Sequence, residues 1–117
     1  MSTRKQRGYD SQRLVANYLR DNGFPHAEPV GAGRTGSDVT GTVGIDWEVK
    51  ARRGLDLPGL MRQLNERAAD GVIGIGVLRL DGMGPASIAT WPAVVCLADV
   101  VALLRAAGYG IPPEEDL

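Results

Sequence analysis

Residues 43–50, Val-Gly-Ile-Asp-Trp-Glu-Val-Lys, constrain this chain more than any other stretch. Successive side chains of a β-strand point to opposite faces. Ile45, Trp47 and Val49 therefore share one face, and Asp46, Glu48 and Lys50 share the other. Such a strand needs a core on one side and a reason for three charges on the other. A sheet face open to water is one reason; a chemical site built on that face is another. Lysine usage bears on the choice. Lys5 and Lys50 are the only lysines, against eleven arginines, so the chain prefers arginine where it needs only positive charge. Lysine is a compact cation whose pKa burial can move, whereas arginine is a wide, permanently charged fork.

The rest of the chain supplies a frame for that strand. From Gly8 to Asn22 the apolar residues Leu14, Val15, Tyr18 and Leu19 recur at helical spacing, and Gly23 and Pro25 mark the stop. His26 to Val30 reads as a short edge strand interrupted by Pro29. A glycine-rich basic loop, Gly31 to Gly36, leads into a short strand from Ser37 to Thr40. After the central strand, Leu57, Leu60, Met61 and Leu64 mark a second amphipathic helix ending near Asp70. Val72 to Leu80 is an apolar run of strand length, and Ala86 to Trp91 is expected to form a further strand. Leu97, Val100, Val101 and Leu104 predict a last helix, closed by Gly108. The expected class is α/β, a mixed β-sheet flanked by helices in the order α-β-β-β-α-β-β-α. Residues 1–110 are expected to form one domain, with 111–117 a loose C-terminal tail rich in proline and acid.

Composition narrows the function classes. No apolar run reaches the length of a membrane span, and the polar Met1 to Arg7 stretch does not read as a signal peptide. Cys96 is the only cysteine, so an internal disulfide or a cysteine zinc site within one chain is excluded. A reducing cytoplasm is the expected setting. Net charge is −1, but it is unevenly spread: residues 1–67 hold eleven Lys/Arg and eight Asp/Glu, and residues 68–117 hold two and six. The basic excess lies in the part that carries the charged strand, as suits a phosphate-backbone surface.

Asp38, Glu48 and Lys50 are the candidate reactive set. Phosphodiester cleavage needs an activated water, neutralised phosphate charge and a stabilised leaving oxygen. Mg2+ serves all of these and prefers carboxylate oxygens while keeping several waters. Asp38 precedes a turn and Glu48 lies on the strand after it, so a hairpin brings them together, with the Val49 carbonyl as a further ligand. Lys50 lies one pleat from Glu48, about 6–7 Å along the strand, where an ammonium can orient water or steady transition-state charge.

This arrangement, Asp38, nine residues, then Glu48-Val49-Lys50, resembles the signature of the PD-(D/E)XK nucleases, with Ser37 in place of the proline. The resemblance extends to the archaeal-type Holliday-junction resolvases and their phage and bacterial relatives, through Arg4, Lys5, Arg7 and Gly8, the first helix, Gly23-Phe24 and the loop before Asp38. It covers roughly residues 4–80. It implies a restriction-endonuclease-like core, Mg2+ dependence with Mn2+ as a substitute, cleavage of branched DNA or four-way junctions, and a homodimer cutting opposed strands. The family usually carries a glutamate four residues after the glycine. Gln12 stands there, able to accept a hydrogen bond from metal-bound water but without charge.

Other residues have bland and functional readings side by side. Arg34, Arg52 and Arg53 flank the reactive set in chain order and suit phosphate contacts or plain solvent exposure. Arg4, Lys5 and Arg7 belong to the same candidate DNA surface, and Thr35 and Ser37 bond a phosphate or cap a turn. Gln63 reads as a solvated helix position, although some PD-(D/E)XK branches use a helical glutamine at the site. Asp46 is assigned a structural or solvent role, Trp47 the core, and Cys96 a buried, inert place. His26 has no metal-ligand partner by spacing.

Overall fold

The computed structural model describes residues 4–31, 36–51, 54–68 and 71–111, with side chains from residue 7 onward. The elements run α1 (Arg4–Asp21), β1 (Glu28–Pro29), β2 (Val39–Thr40), β3 (Ile45–Lys50), α2 (Leu57–Arg67), β4 (Ile73–Leu78), a 3-10 segment (Pro85–Thr90), β5 (Ala93–Val95) and α3 (Leu97–Ala106). It is an α/β fold with a mixed sheet flanked by helices. β3 and β4 pair in parallel, β5 runs antiparallel on the far side of β4, and β1 with β2 forms a separate antiparallel ribbon. Parallel neighbours need a crossover, and α2 supplies it.

The alternation in β3 decides which layer lies where. Trp47 and Val49 join Val15, Ala16 and Leu19 of α1, Val39 and Val77 in the larger core. Trp47 is thus a core residue, and its indole N–H donates to Thr42 Oγ1 at 2.9 Å. The opposite face of the sheet lies under α2, where Leu60, Leu64 and Leu78 make a smaller core. Neither face of β3 is open to water: Asp46 and Glu48 are only 8% and 6% exposed.

Two glycines in β4 let α2 settle there. Gly74 pairs with Asp46 and Gly76 with Glu48 in the parallel register. A Cβ on Gly74 would lie 3.2 Å from Leu64 Cβ, and one on Gly76 would lie 2.8 Å from both Leu60 Cδ2 and Val94 Cγ2. Glycine in a strand interior commonly marks such close approach. A third glycine is required by the turn between β2 and β3. Gly41 has φ 83°, and a Cβ there would sit 1.8 Å from the His26 carbonyl oxygen.

Several expectations are corrected. Residues 86–91 are not a strand. Pro85 opens a 3-10 segment, the Ser87 hydroxyl donates to the Gly84 carbonyl, and the Thr90 hydroxyl donates to the Ser87 carbonyl. Such local side-chain bonds compete with a sheet ladder. The strand follows at Ala93–Val95. Cys96 is exposed rather than buried, because it lies at the boundary between β5 and α3. α3 forms as expected, but its stripe is not covered: none of its residues is buried, and Leu97, Val101 and Leu104 are exposed. Among the described residues no helix is long and apolar enough to cross a membrane.

The two helices should therefore respond differently to substitution. Gly76→Ala must push Leu60 and Val94 apart, and overpacking of this kind costs about 1–3 kcal/mol. Leu104→Ser on α3 should stay within about 0.5 kcal/mol, as for a surface change. Chemical denaturation of both variants checks this. A larger loss in Leu104→Ser than in Gly76→Ala would contradict the placement of the core.

Candidate functional site

β3 is an edge strand on the side away from β4, so its outward N–H groups need acceptors. The segment before β2 supplies them. Asp38 N–H donates to the Trp47 carbonyl at 2.8 Å. Ser37 Oγ accepts from Trp47 N–H at 2.9 Å, and Asp38 Oδ2 accepts from Val49 N–H at 2.7 Å. Two side-chain oxygens thus take the place of backbone carbonyls along the edge. This fixes Asp38 against β3 at the level of Glu48-Val49-Lys50. The Ser37 hydroxyl also donates to the Val39 carbonyl at 2.7 Å, so it serves the fold rather than standing free for a phosphate.

Glu48 is held from several directions. Lys50 Nζ lies 3.0 Å from Glu48 Oε1. Gln63 Nε2 donates to the same oxygen at 3.1 Å. Arg67 Nη2 donates to Oε2 at 2.8 Å. Arg67 also grips Asp46, with Nε to Oδ2 at 3.1 Å and Nη2 to Oδ1 at 3.1 Å. Burying two carboxylates is costly unless they are paired and hydrogen-bonded; Arg67 pairs with both, although Asp46 Oδ1 accepts no hydrogen bond among the described residues. A cavity of about 210 Å3, lined by Lys50, Leu55, Asp56, Gly59, Leu60 and Gln63, opens beside this cluster.

Asp38 differs from its neighbours. Burial pushes its carboxyl up from the ordinary 3.8 to about 6. The Val49 N–H bond lowers it, the Glu48 charge raises it further, and the Lys50 and Arg67 charges pull it back down. A cation beside both carboxylates would favour the ionised form. The donor set suits a hard ion. Asp38 Oδ1 accepts no hydrogen bond among the described residues, and Glu48 Oε2, which accepts from Arg67, retains acceptor capacity, whereas Oε1 is taken by Lys50 and Gln63. Val49 N–H faces Asp38, and the carbonyl of the same strand residue leaves on the same edge. Among the described residues no three of His, Cys, Asp or Glu converge. An ion here would therefore rely on two carboxylates, main chain and water, which is how magnesium is commonly held.

The structure thus brings together Asp38, Glu48, Val49 and Lys50. Gln12 Oε1 accepts from Gly31 N–H at 3.3 Å, and among the described residues no hydrogen bond links it to either acid. Arg7 is exposed and lies 3.9 Å from Asp81. Arg34, Thr35, Arg52 and Arg53, and the side chains of Arg4 and Lys5, lie outside the described residues. Gln63 is corrected from a solvated helix position to a Glu48 contact. Asp46 has the structural role expected of it, in a buried ion pair. Arg67 was not among the sequence candidates. Its signal was its place four residues after Gln63, which puts both on one helix face. Compared with family models, curated proteins and solved structures, the chain matches none.

Because the folded Asp38 carboxyl binds its proton more tightly than the unfolded chain, ionising it lowers stability as pH rises from 3.8 to about 6. Asp38→Asn cannot ionise but can still accept from Val49 N–H. It should exceed wild type in melting temperature above about pH 6, by a margin that vanishes below pH 3.8. Thermal melts across that interval measure the margin, and one that did not change with pH would refute this account of Asp38.

Proposed function

We propose that this chain is a Mg2+-dependent DNA endonuclease with a PD-(D/E)XK, restriction-endonuclease-like core, selective for branched DNA such as four-way junctions. One observation carries the reading: Asp38 is pinned by Val49 N–H at the level of Glu48, with Lys50 Nζ 3.0 Å from Glu48. Two carboxylates, a strand carbonyl and one ammonium lie together at one edge of a sheet, a set that suits metal-assisted hydrolysis of a phosphodiester.

Asp38, Glu48 and the Val49 carbonyl would hold Mg2+, with Mn2+ as a substitute. When bound, the ion would neutralise phosphate charge and lower the pKa of a water. Lys50 would then orient a water and steady charge on the phosphate in the transition state. Gln63 donates to the same Oε1 that Lys50 meets and so helps to fix the orientation of the carboxylate. The basic residues Arg4, Lys5, Arg7, Arg34, Arg52 and Arg53 form the DNA-facing surface in this reading, with Thr35 among them, in a cytoplasmic homodimer whose two sites cut opposed strands. Residues 1–110 are the nuclease domain and 111–117 its tail.

One observation favours a second reading, a DNA-binding module that has lost catalysis. Gln12 brings no charge and turns its carboxamide to Gly31, so no acidic residue from α1 supports the site among the described residues. Cleavage of labelled four-way junctions, flaps and linear duplex in Mg2+, Mn2+ or EDTA separates the possibilities. Paired symmetric cuts in the junction, lost in EDTA, are expected. Equal cutting of plain duplex would point to a nicking, repair or restriction-like nuclease, and binding without cutting to the second reading. Glu48→Ala should lower the rate at least about 100-fold, on the scale of losing one group that stabilises transition-state charge. Undiminished cutting by Glu48→Ala would sink the site. Junction affinity should fall steeply with salt, as expected when many phosphates are contacted.

A further inference from the structure

Arg67 touches each segment that carries or adjoins a site acid. Its guanidinium takes Asp46 side-on, bonds Glu48 Oε2 at 2.8 Å, and donates through Nη1 to the Gly36 carbonyl at 2.6 Å. Gly36 lies two residues before Asp38. One rigid fork on α2 therefore ties β3 to the approach to Asp38. Among the described residues no other side chain bonds both Glu48 and that segment.

We propose that Arg67, aimed by Asp46, is a positioning residue that sets Asp38 and Glu48 relative to one another, and so sets the affinity of the pair for a divalent cation. The inference rests on the nuclease reading for the identity of the ion. Its physical content is geometric. Lysine cannot reproduce a planar fork that bonds two carboxylates and a carbonyl at once. Asp46 faces Arg67 rather than Asp38, so it acts through the guanidinium. Arg67 makes a single bond to Oε2 of Glu48 and so leaves that oxygen a second lone pair, while Lys50 and Gln63 engage Oε1, and Asp38 makes no hydrogen bond to Arg67. Partners that orient the ligands of a metal are commonly worth about 10–100-fold in affinity or activity.

The test uses the full chain and Mn2+ as probe, with free Mn2+ followed by electron paramagnetic resonance. Wild type, Arg67→Lys, Asp46→Asn and the double variant are compared, with Glu48→Ala as control and circular dichroism reporting the fold. Arg67→Lys and Asp46→Asn should each weaken Mn2+ binding about tenfold. The double variant should be no weaker than Arg67→Lys alone, because both act through one contact. In junction cleavage, raising Mn2+ should restore much of the rate of Arg67→Lys but not of Glu48→Ala. If Arg67→Lys does not fold, Asp46→Asn, which keeps the guanidinium and the shape of the pair, decides the matter. Wild-type affinity in the folded variants overturns the proposal. So does tighter binding, which would make Arg67 a competitor of the ion. Wild type that binds no Mn2+ and cuts nothing overturns both this proposal and the nuclease reading. Binding lost in Glu48→Ala but intact in Arg67→Lys overturns the positioning role alone.

Discussion

The close seating of α2 on β4 is the constraint on which the rest depends. Gly74 and Gly76 remove the side chains that would otherwise hold the helix off the sheet. Leu60 and Leu64 fill the space, and Gln63 and Arg67 on the same helix come down over Glu48 and Asp46. The glycines and the acids are register partners, Gly74 with Asp46 and Gly76 with Glu48. Small residues on one strand therefore decide whether charged residues on the next can find partners. Packing and electrostatics are the same event in this layer.

The charged face of β3 is a covered surface with its own internal chemistry. Asp46 and Glu48 are neutralised by cations that arrive from α2 and from Lys50. Asp38 instead rests on a backbone N–H, and burial keeps its carboxyl up at about 6. The site thus holds acids of two kinds, one set internally paired and one poised between charged and neutral. In the proposed reading that difference matters, since an incoming cation gains most from an acid that lacks a charged partner.

Much of the frame was legible in the sequence because it follows from periodicity. The alternation from Ile45 to Lys50 gives the strand, its two faces and the burial of Trp47. The helical spacing gives the stripes of the first two helices, and Gly23 gives the stop of α1. The convergence of Asp38 with Glu48 follows from a glycine turn between them. What periodicity cannot give is which face of a helix meets which residues of a sheet. Gln63 looked solvated, and Arg67 drew no reading, because their partners lie fifteen or more positions away and appear only once α2 has crossed over. Residues 86–91 misled for the opposite reason. Their composition suits a strand, but Pro85 and the hydroxyls of Ser87 and Thr90 settle the backbone locally. The stripe of α3 is legible as a helix, yet its burial is not a property of the stripe. Among the described residues nothing covers it.

The parallel pairing of β3 with β4 also sets an order of events in time. Three acids lie between residues 38 and 48, whereas the arginine that compensates two of them is residue 67, and the glycines that seat its helix are residues 74 and 76. A chain emerging from the ribosome presents these acids before the arginine and the glycines that hold them. Long-range parallel pairing is slow to form because its loop must close before any contact rewards it. The acids must therefore wait in water until β4 has been made. Their buried pairing needs the whole β3-α2-β4 unit, and a nascent chain that ends within α2 carries every acid of the site without the ground on which they stand.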